Sequence, residues 1–308
     1  MDLNQHASSS DFLRPTKTLQ SHSDGPVKAE QKEKGTTHSR KVIQGQPKSL
    51  GLPQVVSSTK EACSLPIFRD KECPWDTYKP VFSCKLAGTV ILAVNKTRPS
   101  KLKAFRVYSP PHADRVLWLF QRIQHENIIS ARECYREGEQ LFVLVDDLPL
   151  TLEHIVSLCP DQHQLASIMF QILNGLCHLT VAGFEHTSLN PSNILLGSDG
   201  TVKIAALEHC VKRLPGQSQS PLINSLAILM MQLMQSYEME DGVIGVDDMK
   251  RWPLDSDAFS FLEATSSARS VEALMKHPFV ARKHLLGELA SLTRLAPIAT
   301  KTFYSYQV

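Results

Sequence analysis

Within residues 186–193, HTSLNPSN, the chain places an imidazole (His186), a hydroxyl (Ser188) and two amides (Asn190 and Asn193). An amide oxygen can ligate a hard cation, but Mg²⁺ is usually held through one or two carboxylates. A serine hydroxyl titrates far above neutrality, so Ser188 cannot take up a substrate proton usefully. The set can hold the shape of a loop. It lacks the paired acids that acid–base or metal chemistry needs.

The elements that must position these residues are legible from periodicity. The runs at 89–94 (TVILAV), 102–108 (LKAFRVY) and 141–145 (LFVLV) have the composition of short strands. Between the last two, Val116, Leu119, Phe120 and Ile123 fall at helical spacing. From Gln164, the residues Leu165, Ile168, Met169, Ile172, Leu176 and Leu179 trace one face of a longer helix. NILLGSDGTVKI is two strand-like runs joined by Gly-Ser-Asp-Gly, a hairpin signal. INSLAILMMQLMQ is apolar nearly all round, which predicts a helix buried on most sides. Strands come first and helices dominate afterwards, an order that suggests a small sheet-rich lobe followed by a larger helical one.

Composition sets the outer bounds. A net charge of +2 argues neither for a nucleic-acid binder nor for a membrane-surface protein. Seven cysteines with no C-x-x-C pair are expected to be reduced and mostly buried, without zinc-ligand spacing. The polar opening excludes a secretory h-region, and the apolar run at 226–234 is too short to span a bilayer. Residues 1–66 are rich in Ser, Lys, Gln, Thr and Gly, a composition that cannot offset chain entropy and predicts a disordered tail. The expected compartment is the cytoplasm or the nucleus.

With HTSLNPSNILL in its hairpin context, the chain resembles a eukaryotic-type protein kinase domain, nearest the Ste20-like kinases, from about residue 84 to residue 282. HENII (125–129) resembles the H-x-N-I-[VI] that follows the regulatory helix of the small lobe. LFVLVDDL (141–148) resembles the last small-lobe strand entering the hinge, with Val145 as gatekeeper. SLAILMMQLM (225–234) is similar to the central helix of the large lobe, and RSVEALMKHPFV (269–280) to the segment closing Ste20-like domains. The resemblance implies an α+β, two-lobed kinase-like fold. Its parts would be a disordered tail over 1–70, a small lobe and hinge over 75–148, a large lobe over 149–285 and an extension over 286–308.

A kinase needs a phosphate cradle, metal held by carboxylates and a base that positions the hydroxyl. The glycine-rich pattern ends at Gly88 and Val90, with Ser83 and Lys85 at its first two glycines. The strand lysine falls on Arg106 and its helix glutamate on Val116. Without that carboxylate, Arg106 is expected to snorkel from an edge strand. The base aspartate becomes Ser188, the loop lysine Asn190 and the metal-binding D-F-G aspartate Ala206. Asn193 keeps the identity of the metal-ligand asparagine and is expected to bond loop backbone. Nucleotide contacts would fall to Gly88, Arg106, Val145, Asp147 and Leu148, with no metal site. Only residues 209–221 separate Glu208 from Leu222, too few for a peptide platform. No A-P-E motif is present to pair with Arg269.

These losses imply a pseudokinase rather than an enzyme. It would act as a protein-binding scaffold or allosteric regulator, with a protein partner such as an active kinase. It would need no cofactor, any ATP binding being independent of Mg²⁺, and no nucleic-acid or membrane partner. The alternative is an atypical serine/threonine kinase with relocated groups, Lys85 or Lys96 replacing the strand lysine and Glu185 or Glu208 serving as metal carboxylate.

Overall fold

The computed structural model describes residues 65–70, 72–239, 243–282 and 287–305. Most of the tail expected over 1–70 lies outside the described residues. Its last part corrects the expectation: Ile67–Arg69 forms β1, a parallel edge strand on β5 (Ala131–Glu137). Arg69 secures it, donating from Nε to Glu133 Oε2 at 2.7 Å. Then come α1 (Pro74–Thr77), β2 (Tyr78–Lys85), β3 (Thr89–Asn95), β4 (Leu102–Tyr108), α2 (Ala113–Arg122) and β6 (Gln140–Val145). The sheet order is β1-β5-β6-β4-β3-β2.

Period-2 alternation gives this sheet two buried faces. Phe105 points to one, where Trp75, Tyr78 and Tyr135 surround its ring at 5.5, 5.0 and 6.1 Å. Ala104, Arg106 and Tyr108 take the opposite parity and face the main core with α2. In α2 the buried positions are Ala113, Val116, Leu119 and Phe120, the stripe that the spacing predicts.

The large lobe begins with β7 (Leu150–Thr151), α3 (Glu153–Val156) and α4 (Gln162–Val181). Asp161 accepts from the backbone of His163 and Gln164, and Gln164 Oε1 accepts from Asp161 N–H, a complete capping box. By length and composition α4 could cross a membrane, but it lies in the lobe, with Leu165 through Leu179 supplying buried positions. β8 (Phe184–His186) pairs with β11 (Cys210–Lys212), and β9 (Ile194–Leu196) with β10 (Val202–Ile204). The helices α5 (Ser220–Gln235), α6 (Asp257–Ser267), α7 (Val271–Leu274), α8 (Pro278–Ala281) and α9 (Ala290–Ser305) complete it. The segment set apart as an extension joins this lobe. Leu289, Leu292 and Ala296 are buried, and Thr293 Oγ1 donates to the Ser198 carbonyl at 3.2 Å.

The HENII stretch fastens the lobes together. Ile129 N–H donates to Ile204 O and Ile204 N–H to Asn127 O, both at 2.9 Å. Asn127 Nδ2 adds a bond to Val202 O at 3.0 Å. Gly175 of α4 makes this approach feasible: a Cβ there would lie 2.8 Å from Asn127 O and 2.9 Å from Ile204 Cδ1. Only a residue without a side chain fits.

Candidate functional site

The cleft between the lobes is lined by Leu86, Val90, Ala104, Arg106, Val145 and Leu148, with Asp146 and Asp147 at its edge. Of the expected nucleotide contacts, Arg106, Val145, Asp147 and Leu148 therefore come together, and Gly88 lies beside Arg106. The open space among them is only about 10 Å³. That is the room of roughly one water.

Arg106 explains the closure. It is 3% exposed and sits on β4, an interior strand between β3 and β6, so the snorkelling edge-strand expectation fails. A buried guanidinium needs acceptors. Nη1 donates to Ala87 O at 2.5 Å and Nη2 to Leu86 O at 2.7 Å. Both carbonyls belong to the turn between β2 and β3, in which Ala87 and Gly88 adopt φ of +51° and +109°. Where a kinase cradle offers N–H groups to phosphate, this turn points two carbonyls at a cation.

Beside the turn stands Glu208. A Cβ built on Gly88 would lie 3.7 Å from Arg106 Nη1 and 3.8 Å from Glu208 Oε1. Glu208 Oε2, Arg106 Nε and Tyr108 Oη are buried without a hydrogen-bond partner. Burial pushes the Tyr108 phenol up, with the neighbouring Arg106 charge opposing the shift. This buried group of cation, carboxylate and phenol is an unsaturated polar site. Tyr108 was missed in the sequence, although period 2 from Arg106 puts it on the same face.

The catalytic-loop positions form a separate cluster. Asn193 Nδ2 donates to Ser188 O at 2.8 Å and to Ser188 Oγ at 3.1 Å, while Asn190 Oδ1 accepts from Asn193 N–H at 3.1 Å. Ala206 is buried in the left-handed region, φ +53°, and Ala205 N–H donates to Asn193 O at 2.9 Å. Val116 is fully buried in α2 and offers no charge to Arg106. His186 is also buried, its Nε2 2.9 Å from Ala205 O, and burial pulls its pKa down to about 4.

At the hinge, burial alone would push the Asp146 carboxyl up. Lys203 and Arg132, each 2.9 Å away, outweigh it and hold the group below the usual carboxylate range. Asp147 has no such partner among the described residues, and burial pushes it up. The proposed relocated groups separate clearly. Lys85 Nζ bonds Thr89 Oγ1 on an exposed hairpin, and Glu185 is buried beside Gln217. Glu208 alone of the proposed carboxylates reaches the Arg106–Gly88 corner.

Family comparison agrees with the fold. Residues 81–224 match the model of the family described as "Protein kinase domain". The chain is 33% identical over 98 residues to a stress-activated protein kinase, jnk-1, of Caenorhabditis elegans, covering 30% of this chain and 21% of the relative. It is 32% identical over 88 residues to cyclin-dependent kinase F-3 of Oryza sativa subsp. japonica, covering 28% and 20%. With the mitogen-activated protein kinase sma-5 of Caenorhabditis elegans it shares 30% identity over 146 residues, covering 42% and 29%. The matched stretch thus spans less than a third of each relative's length. These relatives are of the mitogen-activated and cyclin-dependent type, which corrects the Ste20-like placement.

Two further expectations are corrected. The relatives are named as kinases, which points to an enzyme rather than a non-enzyme. The expectation of no cofactor falls with it, because kinases work with ATP and Mg²⁺. Fold, hinge and hairpin signatures agree with that match: residues 81–224 of this chain are similar to the protein kinase domain family and share its fold.

Proposed function

We propose that this domain is an atypical serine/threonine protein kinase domain that takes nucleotide weakly in a gated cleft and acts on protein partners. Arg106 stands in for the strand lysine, and Glu208 supplies the displaced carboxylate. The observation that carries this is the corner formed by Arg106, Gly88 and Glu208, with Glu208 Oε2 buried and unpartnered. A buried carboxylate oxygen without a donor is costly unless a ligand satisfies it.

A Mg²⁺–nucleotide pair fits this donor chemistry. Mg²⁺ is usually bound through one or two carboxylates plus substrate phosphates rather than a complete protein cage. Among the described residues no cluster of three or more His, Cys, Asp or Glu could hold a metal alone. Glu208 is the protein group at this corner that would hold it. When bound, the ion neutralises phosphate charge. In the closed cleft Arg106 is committed to Leu86 and Ala87, so entry requires the turn to lift and release it. Phosphoryl transfer rests mainly on positioning and electrostatics. A domain lacking the base aspartate is then slow, and any activity tracks how well the corner orients phosphate.

The test is thermal stabilisation by ATP with and without Mg²⁺, paired with phosphate incorporation, on the parent and on Glu208→Gln. A Mg²⁺-dependent shift in the parent that disappears in Glu208→Gln supports the proposal. No shift in the parent at millimolar ATP, or an equal shift in both proteins, overturns it.

A further inference from the structure

An open cavity lies away from the nucleotide cleft. It measures about 490 Å³ and is a groove between α2 and the paired strands β8 and β11. Leu119, Phe184 and Cys210 form an apolar floor, all buried, and the Trp118 ring forms a wall, edge-on to Phe184 at 5.7 Å. The rim is cationic. The guanidinium carbon of Arg122 lies 4.5 Å from the Trp118 ring centre and Lys212 Nζ lies 5.8 Å from it, while Arg115 stands beside Cys210. All three cations are solvent-exposed, and none has a carboxylate partner within ion-pair distance among the described residues.

The groove is open because the chain leaves it early. After β11, Arg213 N–H donates to Gly183 O at 2.9 Å, and Gln219 is already buried at the start of α5. The short stretch between them turns toward Glu185, to which Gln217 donates at 3.4 Å. Burial pushes the Cys210 thiol up to about 12, so the floor is unreactive and the groove is suited to binding rather than chemistry.

We infer that this groove docks an acidic peptide segment of a partner protein, seating one aromatic side chain against Trp118 and Phe184 and placing the flanking carboxylates on Arg115, Arg122 and Lys212. The cavity volume falls within the range of preformed ligand sites. Charge complementarity selects the occupant: three unpaired cations around an apolar floor favour an acidic segment and repel a basic one. Two cations over one indole also raise the cost of seating another positive group there. The inference does not depend on nucleotide, because no groove residue lines the cleft.

The experiment uses the full chain and fluorescein-labelled peptides read by anisotropy. The probe is Glu-Asp-Phe-Asp-Glu; controls are Glu-Asp-Gly-Asp-Glu and Lys-Lys-Phe-Lys-Lys. The Phe-centred acidic peptide should bind, weaken as salt rises, and bind at least about tenfold more weakly to an Arg115→Ala/Lys212→Ala double variant. Both substituted side chains are exposed, so an unchanged melting temperature separates lost docking from lost folding. Equal binding of the Gly-centred peptide would reduce the site to a nonspecific anion patch and overturn the inference. So would binding of the basic peptide, undiminished binding by the folded double variant, or no binding of the probe.

Discussion

Arg106 Nη1 donates to the Ala87 carbonyl at 2.5 Å, tying an interior strand to the turn that covers the cleft. Its second fork nitrogen reaches Leu86 O at 2.7 Å. A lysine is a point charge with rotatable donors, whereas this fork has fixed geometry and can hold two adjacent carbonyls at once. One substitution on β4 thereby changes both the charge chemistry of the cleft and whether it is open.

Weakening the fork should loosen the turn. Arg106→Lys keeps the charge but cannot satisfy both carbonyls in the same geometry, and the expected loss of stability is about 1–3 kcal/mol. Hydrogen exchange over residues 83–90 should accelerate selectively while α4 and α5 remain protected. Unchanged exchange in that turn would mean that it is held by the β2–β3 ladder alone.

His186 gives a pH dependence whose sign follows from its burial. Its folded pKa is depressed from 6.5 to about 4, so the unfolded chain binds the extra proton between those values. Its contribution is fully present above pH 6.5 and is lost as pH falls toward 4, about 3 kcal/mol in all. Desolvation shifts His125 and His277 in the same direction, so the informative quantity is a difference between proteins. Urea unfolding at pH 7.5 and pH 5 should show a smaller stability drop for His186→Gln than for the parent. Equal drops would place the pH sensitivity elsewhere.

Much of this architecture was legible because burial imposes period. The run 102–108 became β4 with its stated bounds, the apolar 3.6-residue rows became α2 and α4, and the run apolar nearly all round became α5. Strands β2 and β5 carried no such signal. β2 is an edge strand with mostly exposed side chains, and β5 interleaves Arg, Glu and Cys with Tyr135. At the site, Ser188, Asn190 and Asn193 cluster as their spacing within one loop suggests. The role of Arg106 was not legible, because its partners are backbone carbonyls about twenty residues away and carbonyls carry no residue-type signature. The cationic groove was hidden for a related reason: Arg115 and Lys212 meet only through the pairing of distant elements.

Gly175 should tolerate no side chain. A methyl group there would press on the Asn127 carbonyl, whose position is fixed by the Ile204 N–H bond between the lobes. Backbone cannot rotate away as a side chain can, so Gly175→Ala should cost about 1–3 kcal/mol despite the better helix propensity of alanine. Chemical denaturation checks this directly. A variant as stable as the parent would show that α4 and the 127–129 segment are free to separate.

Ala206 tests whether the cleft can still be made to prefer a metal. It is 1% exposed and adopts φ +53°, a conformation that aspartate tolerates better than alanine does. Ala206→Asp therefore adds little backbone strain, and its cost lies in burying a carboxylate beside Asn193 and near Glu208. Without a cation to neutralise it, that burial should lower stability by several kcal/mol. Mg²⁺ with ATP should restore part of the loss, since a ligand bound only by the folded state stabilises it in proportion to RT ln(1 + [L]/Kd). Melting curves of the variant with ATP alone, Mg²⁺ alone and both together separate the terms. Recovery only with both places a Mg²⁺–nucleotide site between residue 206 and Glu208. A variant that stays destabilised in all three conditions would show that the Arg106 fork keeps the cleft closed even when the metal ligand is returned.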